Sequence, residues 1–270
     1  MLYHKWIAAM ANITPEDAQS VEKLVELTNA YKRFVELDLI FDSEDNFLYR
    51  QKGQLKLDNT IIEEFLPHLI MRSVRGLSDG LQAGPNATFS GISFLSSIST
   101  PGQGGTPILR LKDQDFVLGR PLHIKTSLSE DFSQAKYQQT ILGYVCAECK
   151  TNLDKTMFQE AVATSRDLKT AMPGSLYFLI CEFLDMTPVS IRSTQIDDVL
   201  IVRKAKRMAS NVRQEFKTPE SRKAAREAHI RFLEESKYDA AVFRRMVSKI
   251  QAAVDETDPT IDKVLEQGHF

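Results

Sequence analysis

The sequence predicts an α/β chain: a mixed β-sheet flanked by helices, with helical additions before and after it. Three observations carry this. Near-continuous apolar runs at residues 175–184 and 199–202 have the length and composition of inner sheet strands. A further apolar strand, 140–150, leads through a short polar turn into an amphipathic helix. Helical periodicity then dominates both ends of the chain. The implied layout is an N-terminal helical region over residues 1–75 packed on a core at 76–205, followed by a C-terminal helical region at 206–270, together one compact domain.

Taken in order, Thr14-Pro15-Glu16-Asp17 is a helix start, with a capping hydroxyl, a proline at the first helical position and acids in the first turn. Val21, Leu24, Val25, Thr28, Tyr31, Phe34 and Val35 follow at helical spacing and face a core. Residues 37–57 carry turn signals at Asp45-Asn46 and Lys52-Gly53 and read equally as short strands or as a helix-loop connection. Asp58 is the expected cap of a second helix through Ile61, Phe65, Leu69 and Val74, which Pro67 should kink or divide. Arg72 and Arg75 near its end read as a solvated basic terminus before a phosphate contact.

Residues 76–106 are rich in Gly, Ser, Thr, Asn and Pro, with turn signals at Gly84-Pro85-Asn86 and Gly102-Gln103-Gly104-Gly105. So long a loop-rich stretch is either a functional, ligand-facing segment or an irregular connector. Strands are expected at 108–111 and 116–124, with a tight turn or bulge at Gly119-Arg120-Pro121. Thr156-Met157-Phe158-Gln159 fits a capping box for the helix after the third strand, and Asp154 is a rival cap. Asp197 and Asp198 read as turn acids ahead of ligands.

At 270 residues, 43% hydrophobic and 26% charged, the composition is that of an ordinary soluble globular protein. A net charge of -2 gives no whole-chain basic signature, so a nucleic-acid partner has to be argued from local charge. Residues 203–250 supply one, with 14 Lys or Arg against 6 Asp or Glu on about three helices divided at Pro219 and at Lys237-Tyr238-Asp239. Such a surplus suits a phosphate backbone, and equally suits a solvated surface. Three cysteines and no secretory leader point to a reducing cytoplasm. No apolar run is long enough to span a membrane, and Asn86-Ala87-Thr88 matches a glycosylation acceptor by chance.

The chemistry concentrates on the strand that ends at Lys150. Residues two apart on a strand share a face about 6 to 7 Å apart, so Glu148 and Lys150 project together and Cys149 points away. Such charges are costly to bury unless paired or bound to a metal. A second carboxylate on a neighbouring strand would complete a metal-dependent site, and Asp113-Gln114-Asp115 stands at the start of an apolar run. Cys146-x-x-Cys149 lacks a second pair of zinc ligands, and strand spacing puts its sulfurs on opposite faces. Neither a phosphate-binding glycine loop nor a serine nucleophile elbow is present.

Asp115-Phe116-Val117-Leu118-Gly119, then a strand ending Glu148-Cys149-Lys150, then a helix bearing Gln159 nine residues past the lysine, resembles the PD-(D/E)XK nuclease superfamily. Within it, residues 112–116 and 148–157 are similar to subunits of the BbvCI-like, heterodimeric type II restriction endonucleases. The resemblance covers roughly residues 88–205. The family's proline before the first acid is replaced here by Gln114, which leaves Asp113 as a rival to Asp115.

The resemblance implies a PD-(D/E)XK core within the α/β fold. It implies a Mg2+-dependent, sequence-specific endonuclease for double-stranded DNA that cuts one strand per subunit, paired with a second, related nuclease subunit or with its own copy. Asp115 and Glu148, with the backbone carbonyl of Cys149, would hold Mg2+, and Lys150 would orient or help activate the attacking water. Gln159 matches a polar position behind the site and reads equally as a helix-capping glutamine. Arg120, His123 and Lys125 are DNA-contact candidates, as is Lys155, which with Asp154 reads first as surface charge and cap. The alternatives are a repair or recombination nuclease of the same fold, and a DNA-binding or assembly subunit without turnover.

Overall fold

Five strands form one sheet in the spatial order β1 (Gln82–Phe94), β2 (Pro107–Thr126), β3 (Lys136–Leu153), β4 (Leu176–Leu184) and β5 (Asp198–Lys206). The first three are antiparallel neighbours, while β3, β4 and β5 are parallel, with α6 (Lys155–Ala171) between β3 and β4 in the chain. The computed structural model describes residues 2–15, 19–52, 56–101, 107–256 and 260–268.

Helices cover both faces. On one, α1 (Leu2–Ala11), α2 (Ser20–Arg33), α5 (Ile61–Ser73), α8 (Pro219–Glu235) and α9 (Ala240–Asp255) pack a large apolar cluster against Phe116, Leu118, Ala147, Phe178 and Ile180. On the other, Ala161 and Leu168 of α6 pack on Val117, Cys146, Tyr177 and Leu179. The residues split between these clusters alternate along each strand, as the pleat requires.

Several expectations change. Glu16 and Asp17 of the expected first helix start lie outside the described residues, and α2 begins at Ser20 with no side-chain cap. It continues into a π-helical stretch, Phe34–Phe41, and the chain then forms α3 (Asn46–Gln51), where Asp45 accepts from Phe47 N at 2.8 Å. Asp58 does not cap α5. It is buried within α4 (Lys56–Asn59), where its carboxylate takes Lys32 Nζ at 2.5 Å. Pro67 sits inside α5 without dividing it. An interior proline costs about 3 kcal/mol, and burial of six large apolar side chains of this helix, each contributing about 1.5–3 kcal/mol, outweighs that.

The loop expected over residues 76–106 is half strand, because β1 occupies Gln82–Phe94; the glycine-rich turn signal at 102–105 lies outside the described residues. No turn divides β2 at Gly119-Arg120-Pro121. The bulge alternative is the one that forms: the register of β2 against β3 shifts between Leu118 and Gly119, with Tyr144 of β3 as the extra residue. Gly119 faces Gly143 there, and a Cβ on Gly143 would come within 2.7 Å of Thr88 Oγ1, so only glycine permits the approach. The run at 199–202 belongs to an edge strand rather than an inner one. Asp197 accepts from Tyr177 N at 2.6 Å, and Asp198 pairs with Arg245 and Lys249, so both acids act structurally.

The basic tract after β5 forms the three helices expected of it, α7 (Ser210–Glu215), α8 and α9, and α10 (Ile261–Gln267) follows beyond it. Pro219 does open α8, capped by Thr218, and Asp239 caps α9. A buried ion network joins the layers. Lys32 and Arg203 flank Glu182 at 2.7 and 2.8 Å, and Arg203 also takes Glu36 at 2.7 Å. Burial works against the Glu182 carboxylate, but Lys32 and Arg203 hold it down to about 2.

Candidate active site

The position of Asp115 is set by a proline on the neighbouring strand. Gly84 faces Val117 and Asn86 faces Gln114, so Asp115 and Phe116 together stand opposite Pro85. Proline has no N–H to give the ladder, and a bulge of this kind re-aims side chains. Phe116 enters the core, while Asp115 Oδ2 crosses to β3 and accepts from Cys149 N at 2.7 Å. Asp113 is exposed and faces Ala87 on β1, so Asp115 is the acid that reaches β3. Burial raises the Asp115 carboxyl above its ordinary value, opposed by the Cys149 N–H and by Lys150.

Glu148 and Lys150 share a face, as their spacing predicts, with Lys150 Nζ 2.8 Å from Glu148 Oε1. The other carboxylate oxygen accepts from the hydroxyl of Tyr177 at 2.9 Å. Tyr177 is fully buried on β4, and burial, then the charge of Glu148, raises its hydroxyl far above the ordinary range, so it remains a donor. Burial works against the Lys150 ammonium, but Glu148 outweighs it and the net shift is upward. Lys150 is therefore a charged donor here. Cys149 packs toward the α5 side and Cys146 toward the α6 side. Burial raises both thiols, Cys146 to about 12, which removes thiolate character at neutral pH.

These groups meet a cleft of about 880 Å³. Its floor includes Thr151 and Asn152 of β3, Phe183 of β4 and Arg207 just after β5, so it lies outside the carboxyl ends of the three parallel strands, where open α/β sheets bind ligands. Asp115 and Lys150 line it, and Glu148 stands behind Lys150. Asp154 lines it too while capping α6, its Oδ1 accepting from Met157 N at 2.9 Å; the alternative capping box at Thr156 does not form. Thr151 Oγ1 donates to Asn59 at 2.9 Å, tying α4 to the site strand.

Residues 54–270 match the Bpu10I restriction endonuclease family. The chain belongs to that family. It is thereby a type II site-specific deoxyribonuclease, a restriction-enzyme subunit of a group that generally uses divalent metal ions. Among solved structures, the native BbvCI A2B2 tetramer has a similar fold, with a TM-score of 0.56 and 20% identity over 78% of this chain and 76% of that one. No curated protein sequence matches. No helix among the described residues is long and apolar enough to cross a membrane.

Two residues near the Bpu10I-family cleft carry no sequence signal. Tyr177 is hidden in an apolar run, where its hydroxyl is the one hint of a polar partner. Glu63 falls in the first turn of α5, lines the cleft, and has its carboxyl raised by burial and by Asp115. Other expected residues are not gathered in. Gln159 is exposed and makes no hydrogen bond among the described residues; the α6 residue whose charge reaches Lys150 is Glu160. Lys155 is exposed at the first residue of α6. Arg120, His123 and Lys125 are exposed on the far half of β2. At about 3.3 Å per residue, Arg120 is roughly 16 Å and Lys125 roughly 33 Å along the strand from Asp115. Lys125 lies over the rings of Phe132 and Tyr137.

The basic tract is also partly consumed internally. Of its 14 cations, seven are in ion pairs: Arg203, Lys204, Arg207, Arg226, Arg244, Arg245 and Lys249. Arg222 is fully buried. The oxygen donors of Asp115, Glu148 and the Cys149 carbonyl are of the kind that hard divalent cations take. Asp115 keeps Oδ1 without a hydrogen bond among the described residues, which fits such an ion. No group of three or more His, Cys, Asp or Glu converges among the described residues, so water or substrate oxygens would complete its shell.

Proposed function

We propose that this subunit hydrolyses one strand of double-stranded DNA at a specific sequence, using Mg2+ held by Asp115, Glu148 and the carbonyl of Cys149, and works with a second, related subunit. The observation that supports the reading is that Asp115 and Lys150 line one cleft, with Glu148 paired to Lys150 at 2.8 Å. When bound, a hard divalent cation supplies charge relief at the phosphoryl group and a water of lowered pKa. The protein's part is positional. Cys149 N–H fixes Asp115, Tyr177 and Lys150 fix the two oxygens of Glu148, and the charged Lys150 donates to the attacking water and balances charge gained by the phosphoryl group. Lys150, charged beside Glu148, would orient or help activate the attacking water.

The two-subunit arrangement rests on family membership and on the A2B2 assembly named for the BbvCI neighbour. The test is cleavage of a plasmid library with Mg2+, by the chain alone and with its candidate partner, followed by sequencing of the ends. Fixed termini support site-specific cutting. Scattered or branch-linked ends would sink it in favour of a repair nuclease. Asp115→Ala and Glu148→Ala should abolish cleavage and retain DNA binding.

A further inference from the structure

The cleft carries more cations than the chemistry uses. Arg50 at the end of α3 and Lys56 at the start of α4 line it from the N-terminal helices, and Arg213 of α7 and Lys217 just beyond it from the C-terminal segment. None of these four is in an ion pair among the described residues, and Arg50, Lys56 and Lys217 are exposed. This contrasts with the rest of the basic tract, where seven of twelve cations are in ion pairs among the described residues. Of the five acids in the same cleft, four have other work, and the fifth, Glu63, has its carboxyl raised by burial and by Asp115, which disfavours its charge. Asp58 and Glu36 pair with Lys32 and Arg203, Asp154 caps α6, and Asp115 holds the Cys149 N–H. A concave surface lined by unneutralised cations focuses positive potential, and the 17-residue α6 directs its N-terminus to the same place.

We propose that the sugar-phosphate backbone of the strand being cut runs through this cleft, its phosphates beside the scissile bond held by Lys56, Arg213 and Lys217, with Arg50 contributing to the field. This rests on the nuclease reading above and deepens it. Approach to Asp115 and Lys150 is then bracketed by an N-terminal helix and by the segment after β5, two stretches far apart in sequence. The exposed cations at the distal half of β2 are not on this path.

The test uses the full chain and a short labelled duplex of arbitrary sequence in EDTA, with anisotropy read over a salt series. Lys56→Ala/Lys217→Ala should weaken binding at least about tenfold and flatten the slope of log K against log salt by about 0.9 per lost phosphate contact. Arg120→Ala/Lys125→Ala should bind as wild type. Both lysine side chains in the first variant are exposed and make no hydrogen bond among the described residues, so the fold is retained; Lys217→Glu provides a second readout in the same direction. Unchanged affinity and slope in the first variant, a loss confined to the β2 pair, or no binding by any form at low salt overturns the proposal. Asp115→Ala separates the two readings. If it cleaves like wild type, the nuclease site is wrong whatever the lysines do; if it is dead while the lysine pair binds normally, only the strand path fails.

Discussion

Removing the hydroxyl of Tyr177 isolates one of the two anchors of Glu148. In Tyr177→Phe the ring remains in a fully buried site while Glu148 Oε2 loses its donor at 2.9 Å. A hydrogen bond to a charged group contributes about 1.5–3 kcal/mol, so stability should fall by about 2 kcal/mol, a drop of about 4–8 °C in Tm for a chain of this size. Lys150 still holds the other oxygen at 2.8 Å, so Glu148 stays in the site with more rotational freedom. Loosening a positioned group costs less than deleting it, and a loss of about 1.4 kcal/mol corresponds to a tenfold slower cleavage step. The assay is single-turnover plasmid cleavage against Mg2+ concentration at a temperature well below both Tm values. The half-saturating Mg2+ concentration should rise and the plateau rate fall about tenfold, with duplex affinity in EDTA unchanged. A lowered Tm with wild-type rate and Mg2+ dependence would show that Tyr177 merely packs, and the account of how Glu148 is held would be wrong.

Other outcomes follow from the same geometry. Lys150→Arg should be as inactive as Lys150→Ala in plasmid cleavage, because a planar guanidinium cannot reproduce the ammonium's point donation beside Glu148; near wild-type activity would refute that role. Arg222 is fully buried and donates to the carbonyls of Phe41, Ser43, Asp45 and Phe216, so Arg222→Met should cost about 4 kcal/mol in urea unfolding by stranding them. A cost under about 1 kcal/mol would mean water replaces the guanidinium. His229 is pushed down to about 4, first by burial and then by Lys52, so the unfolded chain binds this proton more readily than the folded one. Its contribution, about 3 kcal/mol, should be complete above about pH 6.5 and disappear as pH falls toward about 4. His229→Leu should flatten the stability-pH curve in that window, and an unchanged slope would count against it.

The apolar runs made β4 and β5 legible because a strand covered on both faces has to be apolar throughout. The Glu148/Lys150 pairing was legible because strand period is local geometry. That Gln159 and the distal β2 cations do not line the cleft was not legible, for the opposite reason. Sequence distance says little about which helical face or which end of a long strand meets a cleft. The segment around Pro85 was misread as loop because Gly-Pro-Asn marks turns and bulges alike, and pairing with β2 decides between them.

By itself, then, the sequence determined the alternation of elements, the acid-x-lysine strand end and the resemblance to a nuclease superfamily, all carried by neighbours along the chain. Tertiary structure decided which aspartate crosses to β3, that a tyrosine from β4 grips Glu148, and which half of the basic tract stays unpaired. Those depend on register between strands and on burial. Both are set by packing among residues tens to hundreds of positions apart, which no local pattern encodes.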